Sequence, residues 1–409
     1  MSGGRALSRP EFIAMIAALF ATVAFSIDSM LPALPEIAET LTPDNVNRAQ
    51  LILTSFLFGM GLGTLVVGPL SDAFGRKATI IAGVALYIVA SVAAIFAQSL
   101  ELLLAVRVVQ GLGAAAPRVV SLAMVRDIFA GRQMAQIMSF VMMIFVMVPA
   151  ASPFVGSIII ANFGWRAIFV AFIVFALIGS TWVTLRQPET LPPEKRRALG
   201  VATLWSALRE VLSHRMVLIY IAVLTLGFGQ MFAFLSSVQP VYEEIYGITD
   251  SFPIWFLCSG LLSGAGTILN ATLVMRLGMR RLAIAAYSTQ TVLSAVVLVL
   301  TLSGAVPEAL AFPLFFVWSV TVFFMAGLTF GNLNALALEP LGHIAGLASS
   351  VIGAVSTVGA VILAIPIGLA FNGTVAPLMI GVFCCSGLAW LLMWSARRAD
   401  PAPKKVVRH

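Results

Sequence analysis

Charged residues are scarce in this sequence. They make up 10% of the 409 residues, while hydrophobic residues make up 60%; a typical soluble domain has about 25% charged residues. A protein core cannot bury so many apolar side chains, so lipid must cover them, which excludes a soluble protein. Cysteine is also rare, and Cys258, Cys384 and Cys385 all lie in apolar runs without the spacing of metal ligands. We interpret them as packing residues.

Signatures of catalysis are missing as well. The sequence has no recognisable nucleophile and base pair, metal cluster, phosphate-binding loop or soluble catalytic domain. Its three histidines, His214, His343 and His409, lie near the ends of apolar runs or in the tail. These absences argue against a membrane enzyme or sensor, and we expect neither a metal nor a cofactor.

Long apolar runs dominate what is present. A helix needs about 20 apolar residues to cross the ~30 Å hydrocarbon layer. The first run is too long for a signal peptide and no cleavage site follows it, so we expect it to stay in the mature protein. The sequence predicts an all-α membrane protein with twelve spans, near residues 12–33, 49–68, 78–97, 101–124, 135–160, 165–186, 214–238, 253–275, 282–303, 310–333, 344–371 and 375–396.

The net charge of +7 is distributed asymmetrically about these spans. If both termini lie on one side, that side holds 20 of the 24 Lys and Arg residues. The opposite side has Arg48 and Arg166 together with the acids Glu36, Glu39, Asp44, Glu243, Glu244 and Asp250. Positive charge marks the cytoplasmic side of membrane proteins. The pattern therefore predicts cytoplasmic termini, and it explains the basic charge without a nucleic-acid partner.

One polar stretch divides the chain into two halves. Residues 187–213 contain Pro188, Pro192, Pro193 and a basic run, and we interpret them as a cytoplasmic linker. It would separate a six-helix bundle at 1–186 from another at 214–396, with a basic cytoplasmic tail at 397–409. A weak internal repeat supports this division, since Phe74-Gly75-Arg76-Lys77 is echoed by Leu277-Gly278-Met279-Arg280-Arg281 at the corresponding loop of the second half. Two parallel halves are typical of major facilitator transporters.

The loop between spans 2 and 3 strengthens this resemblance. GPLSDAFGRK resembles the major facilitator signature G-x-x-x-D-x-x-G-R-[KR], matched at Gly68, Asp72, Gly75, Arg76 and Lys77. The resemblance implies a conformational latch, in which the Asp pairs with helix ends of the opposite bundle and the basic residues contact an acid at the inner end of span 4. Asp127 is the candidate acid. The alternative is a solvated turn whose positive charges only set the topology.

Other stretches are similar to a narrower branch. Arg107-Val-Val-Gln110-Gly111 resembles the R-x-x-Q-G signature of proton-coupled members, and Pro153 with Gly156 resembles the antiporter signature, although serines replace two of its glycines. Stretches in spans 1, 7 and 8 resemble the bicyclomycin-resistance (Bcr/CflA) branch of drug:proton antiporters. This resemblance implies a probable monomer of the bacterial inner membrane that exports small amphipathic molecules as protons flow inward. A proton-coupled importer of a metabolite is the alternative.

Asp28 is the one carboxylate that clearly lies inside the predicted hydrocarbon layer, where an ionisable group is costly and therefore a functional candidate. Asp28 and Arg107 both lie about 8–9 Å from the outer ends of their spans. In the family fold these two spans line one cavity, so we predict that the residues pair and that Asp28 carries the coupling proton. The alternative is a permanent ion pair that only sets helix packing.

Arg118 follows Arg107 by about three helical turns, so the two side chains lie within about 20° of each other around the helix. Both guanidinium groups can then face one cavity, whose net positive charge would suit an anionic or neutral polar substrate. In the alternative, Arg118 snorkels towards the cytoplasm. The residues that we predict to line the cavity are Asp28, Arg107, Gln110, Arg118, Gln230, Gln239 and Asn332.

Overall fold

The computed structural model describes residues 7–196 and 200–398. Within these ranges only the backbone is described at positions 131–132, 135, 139, 142–147, 150, 201 and 397–398. Arg197 of the predicted linker and nearly all of the predicted tail therefore lie outside the described residues.

Within the described ranges, twelve long helices form the body of the protein. They are α1 Arg9–Asp28, α3 Leu51–Phe74, α4 Arg76–Ile95, α5 Leu100–Ile128, α6 Gly131–Phe163, α7 Ala167–Arg186, α9 Arg215–Pro240, α10 Phe252–Leu277, α11 Met279–Leu302, α12 Glu308–Leu338, α13 Ala345–Leu369 and α14 Ala376–Arg398. Two shorter helices are α2 Leu34–Leu41 and α8 Val201–Ser213. Short 3₁₀ segments lie at Leu31–Ala33, Val46–Gln50, Pro193–Lys195 and Glu339–Ile344, and a π-helical turn lies at Val241–Ile245.

The long helices match the predicted spans. In the described part of the chain, ten stretches are long and apolar enough to cross a membrane, and one of them, Glu308–Leu369, contains both α12 and α13. The remaining span corresponds to α6, whose apolar second half runs from Ala151 to Phe163. The predicted all-α membrane fold is confirmed.

The first span differs from its prediction. Its helix α1 ends at Asp28, and the chain continues through a 3₁₀ turn into α2. Pro32 and Pro35 cause this break, because proline has no N–H to donate to the preceding helical turn. Asp28 therefore lies at the end of a helix rather than inside an unbroken span.

The helices form two bundles, α1–α7 and α9–α14, and the largest apolar core that they share lies towards one end. We call the end at which α1 begins the terminus side and the opposite end the far side. On the far side a single core cluster joins residues of both bundles, including Phe56, Leu57, Phe234 and Trp318. On the terminus side the second bundle has a core cluster of its own. The bundles are thus sealed together on the far side.

A polar contact adds to the far-side seal. The Asn47 side chain, just before α3, donates a 2.6 Å hydrogen bond to the Phe371 carbonyl just after α13. The conformation is therefore closed on the far side.

The predicted repeat is visible in the backbone. Gly75 separates α3 from α4 with φ 98°, and Gly278 separates α10 from α11 with φ 82°. Residues other than glycine rarely adopt such positive φ values. Each half therefore makes the same sharp break between its second and third long helices.

Candidate functional site

Asp28 lies at the seam between α1 and α6. Its side chain is 5% exposed, and it forms no hydrogen bond or ion pair with any other residue whose side chain the structure describes. The far end of α6 approaches α1 closely here, because a methyl group added at Gly156 would clash with the carbonyl oxygen of Ser29. Gly156 thus allows the predicted antiporter signature to contact the residue next to Asp28, and Pro153 lies within the same helix.

Arg107 is completely buried, and its hydrogen bonds go to other groups than Asp28. Nε donates to the Ile52 carbonyl at 3.2 Å, and Nη2 donates to the Ser26 carbonyl at 3.1 Å. The guanidinium also lies over the Phe56 ring, 4.5 Å from its centroid. The predicted ion pair with Asp28 is therefore wrong for this conformation, because backbone carbonyls of α1 and α3 hold the guanidinium two residues away along α1.

Gln110 completes the environment of Arg107. Its Oε1 accepts a 2.6 Å bond from Arg107 Nη1, and its Nε2 donates to Ser91 Oγ at 2.7 Å. Tyr87 joins the same buried group through a 2.6 Å bond between its hydroxyl and that of Ser26. We had predicted that Gln110 lines the cavity. In this conformation it does not, because both ends of its amide are bound inside the bundle. Sequence reasoning missed Tyr87 and Ser91, whose spacing of four residues in an apolar span was the available signal.

Arg118 has a different environment. On α5, the exposed residues Leu102 and Val109 lie about 160–180° around the helix from it. The side chain is half-buried, and Nη1 lies 3.7 Å from Sδ of Met60. Among the described carboxylates, none forms an ion pair with it. Arg118 therefore points to the interior beside the middle of α3 and does not snorkel.

The neutral polar residues of the second bundle also bond within that bundle. Gln230 Oε1 accepts a 2.7 Å bond from Ser386, and Asn332 donates a 2.7 Å bond to Asn270. Gln239 donates to Glu243 at 3.1 Å, near the far end of α9. Gln230, Gln239 and Asn332 are buried, and among the described residues Gln230 Nε2 and Gln239 Oε1 have no hydrogen-bond partner. Their place in the substrate cavity therefore stays a prediction.

The loop after α3 holds a compact charged network. Arg76 Nε donates to Asp127 at 2.8 Å, and Arg76 Nη1 donates to Asp72 at 2.6 Å and to Ser71 Oγ at 2.8 Å. Only 8% of the Arg76 side chain is exposed. Asp127 also accepts a 2.9 Å bond from the Thr190 hydroxyl. The network thus ties α3, α4 and α5 to the segment that follows α7.

Glu189 is a member of this network that sequence reasoning missed. Its carboxylate accepts 3.0 Å bonds from the backbone N–H groups of Arg76 and Lys77. A carboxylate is favourable at a helix N-terminus, where N–H groups lack partners, so Glu189 caps α4. Lys77 Nζ donates to the Thr184 carbonyl at 2.9 Å. An acidic residue directly after the sixth span, opposite a basic loop, was the available signal.

Asp72 differs from its prediction. Within the described ranges its carboxylate binds Arg76 and accepts no hydrogen bond from the second bundle. Helices α3 and α13 are antiparallel neighbours, and a methyl group added at Gly68 would lie 2.8 Å from Ser350 Oγ. This contact fixes which residues of α13 lie opposite Asp72. One turn further along α3, Asp72 comes level with Gly346, in the first turn of α13. The carboxylate is therefore poised near the start of α13 without binding it.

Comparisons with known proteins agree with this architecture. The sequence model of the Major Facilitator Superfamily matches residues 14–364. The bicyclomycin resistance protein homolog of Haemophilus influenzae is 32% identical over 381 residues, which cover 91% of this chain and 93% of that protein. The multidrug resistance protein MdtL of Escherichia coli is 28% identical over 378 residues, with 90% of each chain covered.

A solved structure has the same fold. The xylose transporter XylE from E. coli, in a partially occluded inward open conformation, superposes with a TM-score of 0.71 at 15% identity, over 98% of this chain and 100% of that one. The family match and the 32% identical relative each extend over most of the sequence. The chain therefore belongs to the Major Facilitator Superfamily, in the branch of the bicyclomycin resistance homolog, and is a membrane transporter rather than an enzyme.

Proposed function

We propose that the protein exports small amphipathic molecules across the bacterial inner membrane in exchange for protons, by alternating access. The names of the two relatives, which refer to bicyclomycin and multidrug resistance, support export of antibiotic-like compounds. The positive charge of the terminus side supports a cytoplasmic location for it. The far side, on which the bundles are sealed together, is then periplasmic.

The proposal of proton coupling rests on the burial of Asp28, which has no ion-pair partner among the described residues. A buried carboxylate without a cationic partner is unfavourable as an anion, so we propose that Asp28 carries its proton in this conformation. Opening of the periplasmic side would hydrate the seam and expose Asp28 to the other compartment. For the cycle to balance, binding of the substrate from the cytoplasm would release the proton of Asp28 to that side before the periplasmic side opens. The ionised Asp28 would then take up a proton from the periplasm, so that one proton enters for each substrate exported.

Arg107 has a positioning role in this proposal. Its guanidinium joins the backbones of α1 and α3, and its bond on α1 goes to Ser26, two residues before Asp28. Ionised Asp28 is attracted towards this charge and neutral Asp28 is not. Proton binding can therefore change how tightly the end of α1 packs against α3 and α5.

The charged loop is the proposed latch. In the conformation described here, Arg76 holds Asp72 inside the first bundle. When the cytoplasmic side closes, the register of α3 and α13 would bring the Asp72 carboxylate to the free N–H groups at the start of α13, a favourable site for an anion. The latch would thus stabilise the outward-facing state.

Arg118 supports a substrate with an anionic or neutral polar head. It is an interior cation without a described carboxylate partner, and its field disfavours a lipophilic cation. We propose that the substrate head binds this guanidinium from the cytoplasmic side.

The test uses purified protein in liposomes with an imposed pH gradient. A panel of anionic, neutral and cationic fluorescent amphiphiles reports substrate movement, and a second dye reports luminal pH. We expect substrate and protons to move in opposite directions. Movement of both in the same direction would instead identify a proton-coupled importer.

A further inference from the structure

The second bundle presents an aromatic surface to the interior. Phe228 of α9 stacks on Phe232 with ring centroids 5.9 Å apart, and its centroid lies 4.3 Å from that of Phe330 of α12. We call these three rings the aromatic wall. Neither the proton coupling nor the latch uses it.

The aromatic wall faces inwards rather than towards lipid. Beyond Leu218, no residue of α9 is exposed, so the half-buried Phe228 shows its free surface to the interior. On α12, Leu310 and Val317 belong to the exposed face, and Phe330 points about 140–160° away from them. Both rings therefore retain free surface on the side of the bundle interface.

Contacts through α3 and α13 establish the depth of Arg118. Its guanidinium lies beside Met60. The next residue, Gly61, meets α13 so closely that an added methyl group would lie 3.0 Å from the Val358 side chain. Arg118 is therefore level with the middle of α13.

Contacts between α13 and α9 place the aromatic wall at the same level. A methyl group at Gly359, next to Val358, would lie 2.8 Å from the Thr225 side chain of α9. Phe228 follows Thr225 by three residues, which is less than one helical turn of 5.4 Å. Arg118 and the aromatic wall thus lie at nearly the same depth, on opposite bundles.

We propose that Arg118 and the aromatic wall form the two sides of one substrate site, which selects amphipathic anions with a flat ring, such as arenecarboxylates. The guanidinium pairs with the carboxylate, and the ring of the substrate stacks on Phe228 and Phe330. Because the two sides belong to different bundles, the substrate connects them. This inference rests on the proposed export function and names its substrate class.

Three matched probes separate charge from aromaticity. They are 2-naphthoate, its saturated analogue decahydro-2-naphthoate, and the uncharged 2-naphthamide. Equilibrium binding is measured calorimetrically on the full chain in lipid nanodiscs without a pH gradient. We expect the wild-type protein to bind 2-naphthoate about threefold to tenfold more tightly than the saturated acid, and about tenfold or more tightly than the amide.

Two variants assign the preferences to their side chains. Phe330→Leu should abolish the preference for the aromatic acid while leaving binding of the saturated acid unchanged, which also reports correct folding. Arg118→Gln should abolish the preference for acid over amide and keep the preference for the ring. Phe316→Leu is the matched control. Phe316 belongs to the same helix, but its ring packs on Trp255 of α10, with the ring centroids 5.1 Å apart, so the substitution should change neither preference.

Equal weakening of both acids by Phe330→Leu would overturn the stacking role, and an unchanged acid preference in Arg118→Gln would overturn the charge role. Absence of 2-naphthoate binding to the wild-type protein would overturn the site itself. Because no proton gradient is present, these outcomes leave proton-driven export to be judged by the liposome experiment.

Discussion

The two halves of the molecule break at the same place with the same backbone, at Gly75 and at Gly278, but their side chains differ. In the first half, Arg76 is bound by Asp72 and Asp127 and is nearly buried. In the second half, Arg280 donates to the hydroxyl of Tyr220. The backbone repeat is thus retained, while the described partners of the arginine that follows it differ between the halves.

The same contrast holds inside the membrane. The first half places Asp28, Arg107 and Arg118 there, whereas the amides Gln230 and Asn332 of the second half pair with neutral neighbours. The residues to which we assign proton coupling and latching thus all belong to the first bundle. The other bundle supplies a neutral and aromatic surface.

The largest expected effect sharpens the contrast between the two arginines of α5. Arg107→Ala removes the donors that satisfy Ser26, Ile52 and Gln110, and each buried acceptor left unpaired costs about 1–3 kcal/mol. We expect a loss of at least about 3 kcal/mol in the free energy of unfolding, together with loss of coupling. Arg118→Ala is the matched control.

Chemical or thermal unfolding in detergent measures both variants. Arg118→Ala should stay near wild-type stability, because its one described polar contact is the Met60 thioether. Equal destabilisation by both substitutions would contradict the distinction between a structural and a substrate-facing arginine.

The next effect concerns the packing of α6 beside Asp28. Gly156→Ala would place a methyl group against the Ser29 backbone, and overpacking of this kind costs about 1–3 kcal/mol. We expect lower stability and slower proton-driven transport. Gly387→Ala in α14 serves as the control, since an added methyl group there lies at an ordinary 3.6 Å from the Thr291 side chain. A similar loss in both variants would contradict this explanation.

A smaller effect is expected from the charged loop between α3 and α4. Arg76→Ala should slow transport about tenfold, because a bias of about 1.4 kcal/mol on the inward and outward states is enough for that change. Arg186→Ala, which removes a partly exposed ion pair with Glu11 on the same side of the first bundle, should slow it much less, since exposed ion pairs contribute little. Initial rates and substrate affinity in liposomes check this prediction, which fails if Arg76→Ala weakens binding and leaves the rate intact.

The helices were predictable because apolar runs of membrane length have few alternative structures. The glycine breaks were predictable for a related reason, since positive φ restricts residue choice. Arg76 could be matched to Asp127 only through the family resemblance. In contrast, the partners of Arg107 are backbone carbonyls of Ser26 and Ile52, which every residue possesses, and sequence cannot distinguish one carbonyl from another.

The polar residues of the spans show a second limit. Gln110, Gln230 and Asn332 look like cavity residues because an amide in an apolar helix needs a partner. The structure supplies those partners from adjacent helices, through Ser91, Ser386 and Asn270. Which neighbouring helix a given face meets is a tertiary property, so periodicity alone could not decide between a cavity and a pair inside the bundle.

Asp28→Asn tests the central claim most directly, because it keeps the size of the side chain and removes the titrating proton. In liposomes, the account predicts that this variant still exchanges labelled for unlabelled substrate but no longer responds to an imposed pH gradient. Asp44→Asn, which changes an exposed acid of the far side, should retain the wild-type response. An Asp28→Asn variant that concentrates substrate with an undiminished response to the pH gradient would contradict the assignment of proton coupling to the first bundle.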